Sequence, residues 1–265
     1  MVRLVICDMD GTLIGRDEQL PEGISDWIAK LKEHNVMFTV ATGRSEAFME
    51  PLIKRMGISL PYAASNGAAI VRAGSTLRRR QFPVSHIRGI LKKAQEMGLS
   101  LLFTSNGIDR VIEITPWLIK EAAKHGITYR PEPFSEREWN EYRIEKVLIM
   151  DDIRDGRISI IEELCKDSGD AGFHYVRYRN KAIELMERTA NKADAVRRIV
   201  EILNVAMPEV LVVGDDDNDL QMFQLGAISA AVGNASSNVL PFVEYHCVGT
   251  QFDGVKEAVL KYCGV

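Results

Sequence analysis

The sequence predicts an α/β fold with a parallel central sheet, helices on both faces of that sheet, and an inserted α+β domain. Residues 2–7 (VRLVIC) are almost wholly apolar and end at an acidic loop, which is typical of a parallel strand covered by helices on both faces. Apolar residues then recur at helical spacing over 24–31, and a second apolar run follows at 36–41. Residues 2–41 are therefore interpreted as one strand–helix–strand unit.

The remainder of the first core segment is predicted to hold a helix and a hairpin. Ser45 is placed to cap a helix that ends near Gly57. Pro51 lies deep inside that helix, where its ring removes a backbone donor, so we expect a kink or a shortened helix. Residues 68–82 have the pattern of a hairpin that turns at an Ala-Gly pair, and Pro83 then marks a domain boundary.

The segment from Pro83 to Met186 has a different pattern and is predicted to be the inserted α+β domain. Three helices are indicated, by helical spacing over 87–94, by Thr115-Pro116 at a helix start, and by a capping box at Ser135-x-x-Glu138. Strand-like runs separate these helices, at 101–105, 111–115, 146–150 and 174–178. The core is accordingly predicted to comprise residues 1–82 and 187–265.

After this insertion the α/β pattern returns. A helix is indicated over 193–203 and an apolar strand at 209–215. A short helix around Leu220 and Phe223 and a strand at 228–232 follow. The two core segments are therefore expected to build one sheet together.

The composition limits the classes of function. The 265 residues are 46% hydrophobic, and the net charge of −4 is spread over interspersed acids and bases. No field of one sign favours a nucleic acid or a membrane surface, so the expected partner is a small molecule. Cys7, Cys165 and Cys247 fall in apolar patterns without CxxC spacing, which favours buried thiols over disulfides or a zinc site. Without a signal-peptide pattern or a membrane-length apolar run, the chain is expected to be soluble and cytoplasmic.

Polar clusters follow the apolar strands, with DMDGTL at 8–13, TGR at 42–44 and GDDDND at 214–219. Because the carboxyl ends of parallel strands share one edge of a sheet, we expect these clusters to converge there. Asp8, Asp10 and Asp215 offer oxygen ligands of the type that Mg²⁺ prefers. Gly11 permits a turn after the first two carboxylates, and backbone donors of that loop can face a phosphate oxygen. The spacing therefore predicts a site for magnesium and phosphate.

In order along the chain, these residues resemble the motifs of the haloacid dehalogenase superfamily of phosphohydrolases, and the resemblance covers almost the whole chain. The position of the insertion, with SNGAAI at 65–70 and AVGNA at 231–235, looks like the Cof-type branch, subfamily IIB. The resemblance implies a Rossmann-like catalytic core and an inserted cap domain that governs substrate specificity.

The resemblance also assigns roles to individual residues. Asp8 matches the nucleophile of the first motif, and Asp10 matches its general acid/base. Thr42 matches the second-motif hydroxyl that binds the phosphoryl group, and Lys192 in TANKADAV matches the third-motif lysine. Asp215 matches the metal-binding acid of the fourth motif, so Mg²⁺ is expected to bind it together with Asp8 and the Asp10 carbonyl. Further phosphate or substrate contacts are expected from Gly11, Gly43, Arg44, Asn66 and Asn218.

Each motif has a simpler interpretation when it is taken alone. The DxDG run can be an acidic turn, Thr42 part of a helix entrance, and Lys192 a solvated charge on a helix face. Several motifs in the right order, each after its strand, make those separate interpretations hard to sustain together. Asp216 and Asp219 add negative charge beside the predicted metal site, and the sequence does not say how they affect it.

The function implied by the resemblance is a Mg²⁺-dependent phosphatase that acts on a small phosphorylated metabolite through an aspartyl-phosphate on Asp8. A sugar phosphate is the first expectation for the substrate, with phosphoglycolate, nucleotides or a flavin-precursor phosphate as alternatives. A phosphomutase or phosphotransferase would share the same core, and the reaction product would distinguish it. A non-enzymatic sensor of phosphorylated metabolites is disfavoured because both Asp8 and Asp10 are present. The sequence names neither the physiological substrate nor the oligomeric state.

Overall fold

The computed structural model describes residues 1–15, 17–169 and 171–265, which form two compact units. The core unit comprises residues 1–78 and 190–265, and the inserted unit comprises residues 79–189. The helices are α1 Ile24–Glu33, α2 Glu46–Met56, α3 Arg88–Glu96, α4 Pro116–His125, α5 Glu136–Glu141, α6 Arg157–Asp167, α7 Lys192–Leu203, α8 Leu220–Phe223 and α9 Gln251–Cys263.

The strands are β1 Leu4–Cys7, β2 Met37–Val40, β3 Tyr62–Ala64, β4 Ala69–Arg72, β5 Ser75–Arg79, β6 Phe82–Pro83, β7 Ser100–Ser105, β8 Ile108–Arg110, β9 Arg143–Ile144, β10 Lys146–Met150, β11 Phe173–Tyr178, β12 Ala182–Glu187, β13 Val210–Gly214, β14 Ile228–Ala231 and β15 Tyr245–His246. They form a five-stranded sheet in each unit, a small sheet in the order β3-β4-β5, and a short β6-β9 pair.

The core sheet is parallel, in the order β15-β14-β13-β1-β2. Val5 and Cys7 of β1 belong to an apolar core shared with α1, α2 and α9, whereas Leu4 and Ile6 belong to one shared with α7 and α8. All four side chains are fully buried. A strand covered on both faces must be apolar at successive positions, and this accounts for the VRLVIC run. The predicted α/β class, with helices on both faces of a parallel sheet, is confirmed.

The inserted unit contains an antiparallel sheet in the order β11-β12-β10-β7-β8. One face packs on α3 and α6, and that apolar core includes Val147 and Ile149 of β10 together with Ile183 and Leu185 of β12. The residues between these point to the opposite face, because side chains alternate along a strand. Among them is the buried Glu184. The two units thus contain different kinds of sheet.

Several helix starts lie where the sequence predicts them. Thr115 caps α4 by accepting a hydrogen bond from the N–H of Leu118 at 3.4 Å, and proline follows at the first helical position. Ser135 accepts from the N–H of Glu138 at 3.2 Å, while the Glu138 carboxylate accepts from the N–H of Ser135 at 2.9 Å. Both predictions in the inserted unit are therefore confirmed.

The strand prediction for 111–115 is wrong. β8 ends at Arg110, and Val111 forms only an isolated bridge with Pro131 before Thr115 begins the next helix. Conversely, the prediction omits several elements, among them β3, β12, β15, α6 and α9. The hairpin that leads into β12 turns through Arg179 at a φ of 50°, so no glycine marks the turn.

Pro51 does not shorten helix α2, so the expectation of a shortened helix is wrong. It runs unbroken over Glu46–Met56 and ends at Gly57, whose φ is 71°. Pro51 and Ala47, whose carbonyl loses its helical donor, are both exposed. Water can hydrogen-bond the Ala47 carbonyl there, so the helix tolerates the proline.

All four cysteines are free, and Cys7, Cys165 and Cys247 are buried, as the apolar patterns predict. Among the described residues, no helix has both the length and the apolar character needed to cross a membrane.

Candidate active site

The carboxyl end of β1 lies between the ends of β2 and β13. The N–H of Asp8 donates to β13 at 2.9 Å, and the N–H of Ala41 donates to the carbonyl of Cys7 at 2.9 Å. Asp8 is therefore flanked by the segment carrying Thr42 on one side and by that carrying Asp215 on the other. The parallel register accordingly brings the three predicted polar clusters to one edge of the sheet.

A buried lysine joins two acids at this edge. Lys192 is the first residue of α7, and its Nζ lies 2.5 Å from Oδ1 of Asp8 and 2.6 Å from Oδ1 of Asp219. The exposed fraction of Lys192 is 1% and that of Asp8 is 4%. Within the described residues, the second oxygen of Asp8, Oδ2, accepts no hydrogen bond. One oxygen of Asp8 is thus held by the ammonium group, and the other remains available for a ligand.

Asp219 belongs to the site, although sequence analysis gives it no role. Its Oδ2 accepts from the N–H of Asp215 at 2.8 Å and from the N–H of Asp216 at 3.2 Å, while Oδ1 accepts from Lys192. Because both oxygens are engaged, Asp219 orients Lys192 and the backbone of the acidic loop. The available signal was the spacing of a capping box, since Asp219 lies three residues after Asp216, where a carboxylate can accept from the backbone N–H at the start of a short helix.

Asp215 packs directly on the loop after β1. Its Oδ1 accepts from Oγ1 of Thr12 at 2.6 Å. A methyl group at Gly11 would lie only 2.3 Å from Oδ2 of Asp215, and the φ of Gly11 is 87°. Both facts require glycine at this position.

Three carboxylates face one ammonium group in this cluster. Oxygens of Asp8, Asp215 and Asp219 lie within 4.8 Å of one another. Burial, reinforced by the charge of Asp219, raises the pKa of Asp215 to about 7. Burial also raises the pKa of Asp8 well above its usual range, and Lys192 opposes that change. Although burial alone would lower the pKa of Lys192, the charges of Asp219 and Asp8 outweigh it and raise that pKa.

The excess of negative charge fits a divalent cation. Carboxylate oxygens are the donors that hard cations such as Mg²⁺ select. A cation beside Asp8 and Asp215 would offset the burial and repulsion that raise the pKa values of both groups. The donor set is therefore compatible with a metal site at the carboxyl end of β1.

The side chain of Asp10 pairs with Arg44. Nε and Nη2 of Arg44 donate to the two Asp10 oxygens at 2.8 and 2.5 Å, and Nη2 also lies 3.1 Å from the Glu18 carboxylate. The guanidinium lies over the ring of Phe48, 4.5 Å from its centroid. Half of the Asp10 side chain is exposed, against 11% for Arg44. The arginine expected to contact phosphate thus contacts the second aspartate of DMDGTL.

The other predicted substrate contacts form a second hydrogen-bonded group. Oγ1 of Thr42 accepts from the N–H of Arg44 at 3.2 Å, and the Thr42 carbonyl accepts from the N–H of Asn66 at 2.9 Å. Nδ2 of Asn218 donates to Oδ1 of Asn66 at 3.0 Å. A methyl group at Gly43 would lie 3.3 Å from the Asn66 amide. The segments that follow β2, β3 and β13 are therefore tied together.

Backbone strain is concentrated beside this group. Ser65, Asn66 and Gly67 have φ values of 49°, 51° and 88°, in the left-handed region. A methyl group at Gly67 would lie 2.2 Å from the carbonyl oxygen of Asn191, the residue that caps α7. Strain of this kind persists only where the surroundings enforce it, and it is common at functional sites.

The parallel sheet, the lysine-bridged acids at its carboxyl edge and the inserted unit together define an α/β enzyme with an acidic site. The chain belongs to the haloacid dehalogenase-like hydrolase family, whose sequence model matches residues 5–259. The resemblance seen in the motifs is thereby confirmed. The roles of the individual residues remain predictions.

Relatives match the chain over nearly its whole length. A phosphoglycolate phosphatase of Methanothermobacter thermautotrophicus is 21% identical, with 99% of this chain and 100% of that protein covered. The 5-amino-6-(5-phospho-D-ribitylamino)uracil phosphatase YcsE of Bacillus subtilis is 24% identical, with 97% and 94% covered. The structure of a haloacid dehalogenase-like hydrolase from Bacteroides thetaiotaomicron superposes with a TM-score of 0.81 at 21% identity, covering 100% of this chain and 99% of that one.

Proposed function

We propose that this chain is a Mg²⁺-dependent phosphatase that hydrolyses a small phosphorylated metabolite through an aspartyl-phosphate formed on Asp8. The observation that carries the proposal is the buried contact of Lys192 with one oxygen of Asp8, beside two further acids. It keeps the nucleophile oriented and leaves Oδ2 available for bond formation. Membership of the hydrolase family and the phosphatases among the relatives support the same reaction class.

Mg²⁺ would be held by the carboxylates of Asp8 and Asp215 and by the backbone carbonyl of Asp10. When bound, it supplies positive charge that stabilises the phosphate oxygens in the transition state. Lys192 supplies a second, permanent positive charge at Asp8. Because a phosphate ester and a carboxylate repel each other, this neutralisation lets the two approach.

The first chemical step transfers the phosphoryl group to Asp8. Oδ2 of Asp8 forms a bond with phosphorus while the bond between phosphorus and the leaving oxygen breaks, and Asp10 donates a proton to that oxygen. The hydroxyl of Thr42 and the backbone donors near Gly11 and Gly43 bind phosphate oxygens. Arg44, Asn66 and Asn218 are proposed as further phosphate or substrate contacts.

The second step returns Asp8 to its free carboxylate. Asp10 accepts a proton from water, the water oxygen forms a bond with phosphorus, and the bond from phosphorus to Asp8 breaks. Inorganic phosphate is the product. Asp10 thus serves as acid in one step and base in the next, which is consistent with its partial exposure.

The inserted unit is proposed to be a cap domain that selects the leaving group. Its antiparallel sheet carries ionic side chains such as Lys146 and Glu184, which pair at 2.5 Å. Such groups can recognise hydroxyls or charges of a metabolite. A sugar phosphate is the preferred substrate class, and two relatives that act on phosphoglycolate and on a phosphorylated ribitylaminouracil support these compounds as further candidates. The cytoplasmic location expected from the sequence is proposed as well.

A phosphate-release assay with a panel of phosphorylated metabolites tests the activity. We expect release of free phosphate with Mg²⁺, only background rates in excess chelator, and recovery of the activity when Mg²⁺ is restored. Calcium and zinc should replace Mg²⁺ poorly, because they favour coordination geometries other than the octahedron of Mg²⁺. Full activity in chelator would contradict the metal site. Transfer of phosphate to an organic acceptor, without release, would instead indicate a phosphomutase or phosphotransferase.

Trapping the covalent intermediate separates the two aspartates of the first motif. The substrate is labelled in its phosphate and has a leaving group that needs little protonation. Asp10→Asn should then accumulate phosphoenzyme, detected after rapid quenching, because its second step lacks a proton transfer that contributes about 10²–10⁴-fold to the rate. Asp8→Asn is the matched control, and it should carry no label. Label on Asp8→Asn, or wild-type turnover by both variants, would show that the assigned roles are wrong.

A further inference from the structure

Asn234, in the AVGNA segment after β14, uses both ends of its side-chain amide. Its Nδ2 donates to the carbonyl of Gly11 at 2.7 Å, and its Oδ1 accepts from the N–H of Gln251 at 2.9 Å. Because one partner is an acceptor and the other a donor, only one orientation of the amide satisfies both. A single side chain thus joins the loop after β1 to the first residue of α9.

The α9 end of this bridge is strained. Gln251 has a φ of 52°, in the left-handed region that residues other than glycine rarely adopt. Its side chain packs against Gly15, where a methyl group would lie 2.8 Å from Oε1 of Gln251. Asn234 and Gln251 therefore contact the loop after β1 at two points, Gly11 and Gly15. Strain held by such contacts points to a positional role for this segment.

The Gly11 end of the bridge leads to Asp215. The carbonyl held by Asn234 belongs to the peptide group that joins Gly11 to Thr12. Thr12 supplies the nitrogen of that peptide group, and the Thr12 hydroxyl donates to one Asp215 oxygen at 2.6 Å. The other Asp215 oxygen lies against Gly11, too close for any side chain. The orientation of this one peptide group therefore affects both carboxylate oxygens of Asp215.

We propose that Asn234 is a positioning residue for the divalent cation, acting through the Gly11–Thr12 peptide on Asp215. The inference rests on the cation site of the proposed function. Residues that orient metal ligands typically contribute about 10- to 100-fold to metal affinity. Asn234 is exposed, so water competes for its hydrogen bonds, and an effect near the lower limit is expected.

Direct Mg²⁺ binding to the full chain tests the proposal without using activity. By isothermal titration calorimetry, Asn234→Ala should raise the Kd for Mg²⁺ about 10-fold relative to wild type. Asn238→Ala is the matched control, because Asn238 is an exposed amide nearby that donates to Asp217 instead of to the β1 loop. It should leave the Kd unchanged. An unchanged Kd for Asn234→Ala would overturn the proposal.

Turnover gives a second readout. At saturating Mg²⁺, Asn234→Ala should recover most of the wild-type kcat, with the Mg²⁺ requirement shifted to higher concentration. A general folding defect would instead lower kcat at every Mg²⁺ concentration. The melting temperature in metal-free buffer should stay within about 4 °C of wild type, because only the hydrogen bonds of one exposed side chain are lost. A kcat that does not recover would count against a positioning role.

A double-mutant cycle with Thr12→Val tests the route of the coupling. Thr12→Val removes the hydroxyl that holds Asp215 and should weaken Mg²⁺ binding by itself. If Asn234 acts through the same peptide, the combined variant should lose less affinity than the sum of the two single changes. Additive losses would exclude this route. If wild-type protein binds no Mg²⁺, the proposed cation site itself is wrong. If wild-type protein binds Mg²⁺ and Asn234→Ala binds it equally well, only this inference is wrong.

Discussion

The core sheet is parallel and covered by helices on both faces, whereas the inserted sheet is antiparallel and packs on α3 and α6 with one face. In the core, strands such as β1 are apolar throughout, and the polar groups gather where the strands end. In the inserted sheet, ionic groups such as Lys146 and Glu184 lie within the strands themselves. Burial on both faces therefore confines the charged groups of the core strands to one edge of their sheet, whereas the inserted sheet has paired charged groups within its strands.

This contrast predicts that equivalent substitutions have different consequences in the two units. Both units contain aspartates that are almost completely buried, Asp8 in the core and Asp151 in the inserted unit. Each contacts a cation, Lys192 and Arg157 respectively, at 2.5 and 2.8 Å. Both are therefore buried acids paired with a cation, and Asp8 differs in having the carboxylates of Asp215 and Asp219 beside it.

The largest expected effect is on turnover. Asp8→Asn should lower kcat by about 10⁴-fold or more, because it removes the proposed nucleophile. Asp151→Asn should leave kcat for para-nitrophenyl phosphate nearly unchanged and lower stability by about 1–3 kcal/mol through a weakened buried hydrogen bond. Steady-state kinetics and thermal melting measure both. A large loss of turnover in Asp151→Asn would mean that the inserted unit takes part in the chemical step.

The core was predictable from sequence because its strands are buried on both faces. β1 and β13 have uninterrupted apolar runs and β2 is broken only by the buried Thr39, and each strand is followed by a polar cluster that marks its end. The inserted sheet carries a weaker signal. β12 has Glu184 at its centre and follows a turn without glycine, while the β-branched run at 111–115 lacks a full strand partner.

The site was predicted less completely than the fold. Asp8, Lys192 and Asp215 are close together, and their motifs are readable in the sequence. Asp219 was missed because its spacing indicates only a contact with the backbone of the acidic loop, while its contact with the distant Lys192 has no sequence motif. The pairing of Asp10 with Arg44 depends likewise on side-chain conformations that no spacing rule specifies.

The second expected effect is on the free energy of unfolding, and measuring it tests whether the two units unfold separately. Ile149 of β10 and Leu31 of α1 are both fully buried, in the apolar cores of different units. Ile149→Ala and Leu31→Ala should each cost about 2–5 kcal/mol, because each leaves a cavity in a packed core. By calorimetry, each variant should lower only the transition of its own unit. A single transition that both variants shift equally would show that the units unfold as one.

A change of selectivity is expected when the inserted unit is removed. Replacing residues 79–189 with a short Gly-Ser linker should reduce turnover of the best metabolite by about 100-fold, because binding energy from remote parts of the substrate is lost. Turnover of para-nitrophenyl phosphate should fall much less. Circular dichroism and melting must first establish that the shortened chain is folded. Equal losses for both substrates by a folded chain would contradict the proposed cap role.

The smallest effect compares two helix caps. Asn191 accepts from the N–H of Asp194 at 2.8 Å at the start of α7, and Ser135 accepts from the N–H of Glu138 at 3.2 Å at the start of α5. Asn191→Ala and Ser135→Ala should each cost about 1 kcal/mol, since each removes one capping hydrogen bond. Denaturant unfolding measures that cost. The caps are therefore a matched pair with respect to stability.

Only the core cap should affect turnover. Lys192 directly follows Asn191, so fraying of this end of α7 displaces the ammonium that contacts Asp8 at 2.5 Å. The resulting loss of kcat should be several-fold, about what 1 kcal/mol gives in a rate. Asn191→Ser, which preserves the capping acceptor, should restore both stability and kcat. An equal kcat in Asn191→Ala and Ser135→Ala would show that the position of Lys192 is set by Asp8 and Asp219 alone, independently of the helix that carries it.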